Sequence, residues 1–216
     1  MNEEIRMFAR IGHFHNDTLL EIAIDSFLKF EKLNEEKDLL KSKGHFEHDE
    51  FIIYNEEEKI NEIENLVLKE SIKSVIFLSS FLESYFFEFS AVALGQQYTE
   101  NYIEKLDLAS KIILVPRLVT GKEIDNSRHF WGDIKKMIKW RNKIIHNKTK
   151  NSVEFFKNTK PKNHNPKFLY KEFNLKDFFK SIKSLFIELD RIDPKGFHSS
   201  RININMKRIK TVLQAK

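Results

Sequence analysis

The chain has 216 residues, 41% of them apolar and 12% aromatic, which is enough to bury the core of one domain and argues against global disorder. Lysine and arginine number 37 against 32 aspartate and glutamate, so the formal charge of +5 permits a polyanionic partner without requiring one. The absence of cysteine excludes disulfides, thiolate metal sites and cysteine nucleophiles, and it favours a reducing, cytoplasmic compartment.

The whole chain is predicted to be helical. Only six glycines and four prolines interrupt it, and the segments between them repeat their apolar residues with a period near 3.6 rather than 2. A first helix is expected to begin at Asp17 or Thr18, since either side chain can cap it. Residues 35–49 are charged and contain Gly44, so we expect a connector there.

A second and longer helix is expected to begin near Glu56 or Asn61 and to end before Gly95. Its most apolar stretch, "SVIFLSSFLESYFFEFSAVAL", is long enough to span a bilayer, but it contains Glu83 and Glu88. We therefore predict a buried core helix and no membrane association.

The second half of the chain is predicted to hold three helices. A short helix in "LDLASKIILVPRL" is expected to stop at Pro116, and the next helix runs from about Arg128 to Asn147. A small hairpin or a long loop follows over residues 148–173. Asn174 is a credible cap for the last helix, and the basic segment after it is either a weak helix or disordered.

The helix within "KMIKWRNKIIHNKTK" carries a charge on its apolar face. At about 100° per residue, its isoleucines, Met137 and Trp140 gather on one broad arc, and four lysines gather on the opposite side. Arg141 falls near the middle of the apolar arc. A guanidinium is effectively always charged, and leaving it unpaired in a dry core is strongly unfavourable. This face must therefore meet a charged partner or line a wet cleft.

Glu83 is the candidate partner of Arg141, because it shares a stripe of the long helix with apolar residues. A buried structural Arg–Glu pair without catalysis is one explanation. Asn142 and His146 lie four residues apart on one flank of the motif helix. Arginine can clamp phosphate oxygens, asparagine can orient a hydroxyl and histidine can move protons near neutral pH, so the set is typical of phosphate chemistry.

At these residues the sequence resembles the HEPN superfamily, the helical domains of many prokaryotic toxin and defence ribonucleases. Arg141, Asn142 and His146 read as R-N-x-x-x-H, which is similar to the R-x(4–6)-H signature of that family. The order of elements is also similar over roughly residues 60–192: a hydrophobic helix with an internal acid, an intermediate segment, the motif helix, a gap and a final amphipathic helix.

The resemblance implies an antiparallel bundle of four to six helices over residues 56–194. We expect residues 1–55 to form a helical extension that packs on this bundle, and residues 195–216 to form a basic tail. A subgroup of the family has a tyrosine two residues after the motif histidine, whereas Lys148 stands there in this chain. Control by modification of such a tyrosine is therefore not expected.

The resemblance also implies a metal-independent endoribonuclease that needs no cofactor. In this scheme Arg141 and His146 are the catalytic pair and Asn142 supports them, and the active site forms at the interface of a homodimer. The RNA 2′-hydroxyl attacks the adjacent phosphorus, which leaves a cyclic phosphate and a free 5′-hydroxyl. His146 would act as general base or acid, and Arg141 would stabilise the phosphoryl oxygens. Glu83 would hold Arg141 in its productive rotamer, as the helical projection suggests.

RNA is the expected partner, with transfer RNA and messenger RNA as candidates. Lys139, Lys143 and Lys148 surround the motif and are candidate RNA contacts, although a solvated lysine face is the alternative. The resemblance implies a toxin or antiphage defence effector, with an antitoxin or a regulatory protein as a candidate partner. A non-catalytic RNA- or protein-binding module of the same fold is the second hypothesis.

The remaining histidines and aromatic residues are assigned to ordinary roles. His13 and His15 are read as part of a polar loop, as are His45 and His48 with Asp49, so no metal site is expected. The twenty phenylalanines are expected to be mainly core residues rather than platforms for stacking bases.

Overall fold

The computed structural model describes residues 3–42, 50–145, 174–194 and 199–214, with their side chains over 15–42, 57–145, 174–194 and 205–214. These residues form seven α-helices and no β-strand, which confirms the all-α prediction. The helices are α1 (Glu3–Ser42), α2 (Glu50–Leu94), α3 (Gln96–Tyr98), α4 (Leu108–Thr120), α5 (His129–Ile145), α6 (Leu175–Ile192) and α7 (Ser199–Gln214). A π-helical turn, Thr99–Ile103, follows α3 directly.

The two longest helices, α1 and α2, lie side by side and antiparallel. Their register is marked by contacts of Asn16 with Glu88 at 2.6 Å, of Ala23 with Ser74 at 3.1 Å and of Lys41 with Glu64 at 3.0 Å. Both helices are longer than predicted. α1 begins at Glu3 rather than at Asp17 or Thr18, and it continues to Ser42, into the charged stretch that was expected to be a connector; α2 begins at Glu50. Leu33 and Leu40 pack against the core there, so tertiary contact outweighs the polar composition.

Helix α2 is the centre of the packing, since it contacts α1, α4, α5 and α6. Its buried aromatic side chains meet those of other helices: the rings of Phe81 and Tyr85 lie 5.8 and 5.1 Å from the ring of Phe186 on α6. Phenylalanines are thus prominent in the core, as expected. Within the described residues, Glu57–Leu94 is the one helical stretch long and apolar enough to cross a membrane, and 56% of its apolar window is buried inside the protein.

Proline does not stop α4 where the sequence analysis placed its end. Helix α4 continues from Pro116 to Thr120, whose hydroxyl donates to the Pro116 carbonyl at 2.8 Å. Proline has no N–H to donate to the carbonyl four residues earlier, so one hydrogen bond of the helix is missing. Its fixed φ is nevertheless helical, so one further turn can form. The helix ends at Gly121, which has a φ of 72° and donates its N–H to the Arg117 carbonyl at 2.9 Å.

A buried carboxylate fixes the loop that leads into α5. Glu188 of α6 accepts the backbone N–H of Asp125 at 3.2 Å and lies 3.3 Å from the guanidinium of Arg128. Hydrogen bonding from Arg191 holds the pKa of Glu188 below its ordinary value, and burial opposes this shift. These contacts set the start of α5 relative to α6.

The C-terminal helices complete the bundle. The Asn174 side chain accepts the N–H of Lys176 at 3.0 Å, which confirms the predicted cap of α6. The basic segment after it forms helix α7, which contacts α6 and α1 and buries Ile209 and Val212. The predicted hairpin or long loop over residues 148–173 lies outside the described residues.

Candidate active site

Helix α5 places Arg141 at the end of a buried stripe. Phe130, Ile134, Met137 and Trp140 are buried at helical spacing, and Arg141 continues the same side of the helix. Its side chain is 27% exposed, because the stripe reaches solvent at this end of α5. The guanidinium is therefore at the edge of the core rather than within it.

Two side chains hold the guanidinium of Arg141. Its Nη2 lies 3.5 Å from Oε2 of Glu83, so the contact predicted from the two helical projections is present. Its Nη1 donates to the side-chain carbonyl of Asn142 at 3.0 Å. The carboxylate is 39% exposed, so the pair is not the buried tie that the projection suggested. Together these contacts restrict the rotamer of Arg141 while leaving part of its fork accessible.

Lys111 of α4 also belongs to this cluster, although it was not among the residues predicted for the site. Its Nζ lies 3.2 Å from Oε1 of Glu83, and its side chain is only 3% exposed. The signal was present in the sequence, because Lys111 shares a helical stripe with Leu108, Ile112 and Val115, all of which are buried. The buried charge at this site is thus a lysine, not the arginine.

The side chains of Arg141, Glu83 and Lys111 carry a net positive charge, because the two cations share one carboxylate. Lys111 is enclosed and faces Glu83, whereas Arg141 is partly open to solvent. A partly exposed guanidinium beside a neutralised pair is a suitable place for an anion with planar, bidentate geometry, such as phosphate. This arrangement can bind a phosphoryl group and stabilise negative charge that builds on its oxygens.

A cleft of about 500 Å³ adjoins the cluster. Glu83 and Lys111 line it together with Glu104, which follows the π-helical turn. His15 also lines the cleft, from α1, so its prediction as part of a polar loop is wrong. The long first helix brings His15 beside α2, and the sequence alone gave no signal of this neighbour.

The other predicted site residues are only partly described. Lys139 and Lys143 are exposed on α5, and the ammonium of Lys143 lies 4.4 Å from the ring centroid of Trp140. His146 and Lys148 lie outside the described residues, as do His45, His48 and Asp49. Among the residues with described side chains, no group of three or more histidines or carboxylates is arranged to hold a metal ion.

A second cleft, of about 400 Å³, lies at the opposite end of α5 and is lined by His129, Asp133 and Ser181. The Ser181 hydroxyl donates to Asp133 at 3.3 Å, and His129 lies 3.5 Å from the same carboxylate oxygen. A serine nucleophile needs its hydroxyl bonded to the base, so this order of contacts does not activate Ser181. The cluster around Arg141 therefore remains the stronger candidate site.

None of the protein-family models, curated proteins or solved structures compared with this chain matches it.

Proposed function

We propose that this chain is a metal-independent endoribonuclease of the HEPN type, which cleaves RNA by transesterification and acts as a toxin or antiphage defence effector in the cytoplasm. The observation that carries the proposal is the placement of Arg141: a guanidinium is held by Glu83 and Asn142 at the partly exposed end of α5. The excess positive charge of the cluster with Lys111 supports phosphate as its ligand.

The proposed reaction needs one base and one acid. A base removes the proton of the 2′-hydroxyl, whose oxygen attacks the adjacent phosphorus, and an acid protonates the departing 5′-oxygen. His146 takes one of these roles, and a second copy of His146 in a homodimer takes the other. Arg141 stabilises the charge on the non-bridging phosphoryl oxygens, and Asn142 and Glu83 keep its fork in place.

The proposed function also implies a HEPN-like arrangement of the helices. Helices α2, α4, α5 and α6 form the HEPN-like antiparallel bundle, and α1 is the extension that packs on it. Contacts of α2 with the other three helices, and of α5 with α6, support this assignment. Helix α7 contacts both α6 and α1, so it joins the extension to the bundle.

The remaining parts of the proposal concern partners. Lys139 and Lys143 are exposed on α5. Together with Lys148 they are assigned to contacts with the RNA backbone outside the cut phosphate. Transfer RNA and messenger RNA are the candidate substrates. An antitoxin or regulatory protein restrains the nuclease in the cell.

The test is an RNA cleavage assay in the presence of a chelator. Purified protein is incubated with total RNA and with transfer RNA, and the ends are mapped for cyclic phosphate and 5′-hydroxyl. Arg141→Ala and His146→Ala should abolish cleavage. Arg117→Ala is the matched control, because Arg117 is an exposed arginine paired with Glu123 at 2.8 Å on α4 and should cut normally.

The outcomes separate the hypotheses. Wild-type cleavage rates in both motif variants would refute the catalytic assignment. Tight RNA binding without cleavage by the wild type would favour the non-catalytic module. Arg141→Ala should remain folded, since a partly exposed ion pair contributes only about 0.2–1 kcal/mol to stability.

A further inference from the structure

The cleft beside Arg141, Glu83 and Lys111 is lined by two serines whose hydroxyls do not hydrogen-bond to the backbone of their own helix. Two serines of α2, Ser71 and Ser90, donate back to a carbonyl three residues earlier at 2.8 Å, which is one common use of a serine hydroxyl in a helix. Ser80 and Ser84, which line the cleft, make no hydrogen bond to any residue whose side chain is described. Their hydroxyls are therefore available to a ligand.

Two titratable side chains at the same cleft also have no hydrogen-bond partner among the described residues. Neither the imidazole of His15 nor the carboxylate of Glu104 makes a hydrogen bond or ion pair within the described part of the chain, and both residues are exposed. Lys111 differs, because Glu83 neutralises it. The free polar groups of the cleft are thus one carboxylate, one imidazole and two hydroxyls.

The cleft also has apolar walls. Leu19 of α1 is buried and Phe87 of α2 is half-buried, and both line the cavity. A volume of about 500 Å³ falls within the range of ligand pockets in proteins. An aromatic wall, an apolar wall and a few polar groups suit a flat heterocycle better than a phosphate, which Glu104 would repel.

We propose that this cleft binds one nucleobase of the RNA, next to the phosphate at Arg141, and that it prefers guanine. The inference rests on the proposed ribonuclease function. Glu83 both lines the cleft and contacts Arg141, so the two sites are separated by a single side chain. A nucleotide can therefore place its base in the cleft and its phosphate at the guanidinium.

Glu104 gives the preference for guanine. An ionised carboxylate only accepts hydrogen bonds, so it needs donors that lie close together on the ligand. Guanine offers two adjacent N–H donors on its Watson–Crick edge, whereas adenine and cytosine offer only an amino group there and uracil a single imino N–H. Hydrogen bonds to a charged acceptor are the stronger kind, so the two bonds to guanine distinguish it from the other bases.

Nucleotide binding tests this inference without relying on cleavage. The 5′-monophosphates of guanosine, adenosine, cytidine and uridine are titrated into the full-length protein by calorimetry. We expect GMP to bind about tenfold tighter than AMP, and Glu104→Gln to remove this preference. Glu100→Gln is the matched control, because Glu100 is exposed nearby, bonds to Gln96 at 2.8 Å and does not line the cleft.

The outcomes distinguish this inference from the proposed function. Equal affinity for all four nucleotides, or an undiminished preference in Glu104→Gln, overturns the guanine assignment even if RNA is cut. A preference that Glu104→Gln removes and Glu100→Gln keeps supports it, even if wild-type protein fails to cut RNA. If RNA is cut, the wild-type sites should lie beside guanosines, and Glu104→Gln should redistribute them.

Discussion

Replacing Glu83 by glutamine should destabilise the protein through Lys111 rather than through Arg141. The substitution keeps the shape of the side chain but removes the carboxylate that lies 3.2 Å from the enclosed ammonium of Lys111. Removing one partner of a fully buried ion pair costs about 3–5 kcal/mol, because the other charge stays uncompensated. The carboxylate of Glu83 is 39% exposed and Glu104 shares the cleft, so we expect about 1–3 kcal/mol.

Lys111→Met provides the decisive comparison. Methionine has a similar length and no charge, so it fits a position that is 2% exposed, and Glu83 can turn to solvent. We expect this variant to lie within about 1 kcal/mol of the wild type. The double variant Glu83→Gln/Lys111→Met should then be about as stable as Lys111→Met alone, since no buried charge is left without its partner.

Urea unfolding, followed by circular dichroism, measures these differences as shifts in the midpoint at an unchanged slope. Arg141→Ala completes the series and should cost about 1 kcal/mol or less, because its pair with Glu83 is partly exposed. The reasoning is refuted if Glu83→Gln is as stable as the wild type, or if adding Lys111→Met to it recovers nothing.

Three further predictions test the scaffold around the site. Hydrogen bonding from Arg191 holds the pKa of Glu188 below its ordinary 4.5, so the ionised Glu188 stabilises the fold fully above about pH 4.5, and this stabilisation is lost as the pH falls through the folded-state pKa. In urea titrations between pH 6 and 3.5, the Glu188→Gln variant should therefore lose less stability than the wild type. Gly121→Ala should lower the free energy of unfolding by about 1–2 kcal/mol, because the φ of Gly121 is 72°. Gly132→Ala within α5 should raise it by about 0.5–1 kcal/mol, so the melting temperatures of the two variants should shift in opposite directions. Asp107→Ala should cost about 1 kcal/mol by removing the cap that accepts the Ser110 N–H at 3.0 Å; equal melting temperatures would contradict it.

The helices were predictable from sequence where local chemistry decides them. The apolar period gave the all-α class, and cap residues gave the ends at Gly95 and Asn174. The extent of α1 was not predictable, because its last turns are polar and are held by the neighbouring α2. The end of α4 was also missed, since Pro116 breaks a helix only when nothing stabilises the following turn.

The site was predictable in part for the same reason. Charges on apolar stripes show in a helical projection, which identified the contact between Arg141 and Glu83 and would also have identified Lys111. A projection of single helices does not show how three helices pack against one another to form the meeting point at the site. The degree of exposure and the nearness of His15 and Glu104 depend on that meeting, so only the folded chain reveals them.

In the proposed reaction, the unequal burial of the two cations would let one carboxylate serve both structure and substrate. Lys111 is enclosed and needs Glu83 at all times, whereas Arg141 is partly solvated and makes a longer contact of 3.5 Å. If phosphate binds as proposed, Arg141 can exchange part of its contact with Glu83 for phosphate oxygens at little cost, and Glu83 still has Lys111. Because the carboxylate never loses both partners, phosphate binding at Arg141 leaves no buried charge without a partner.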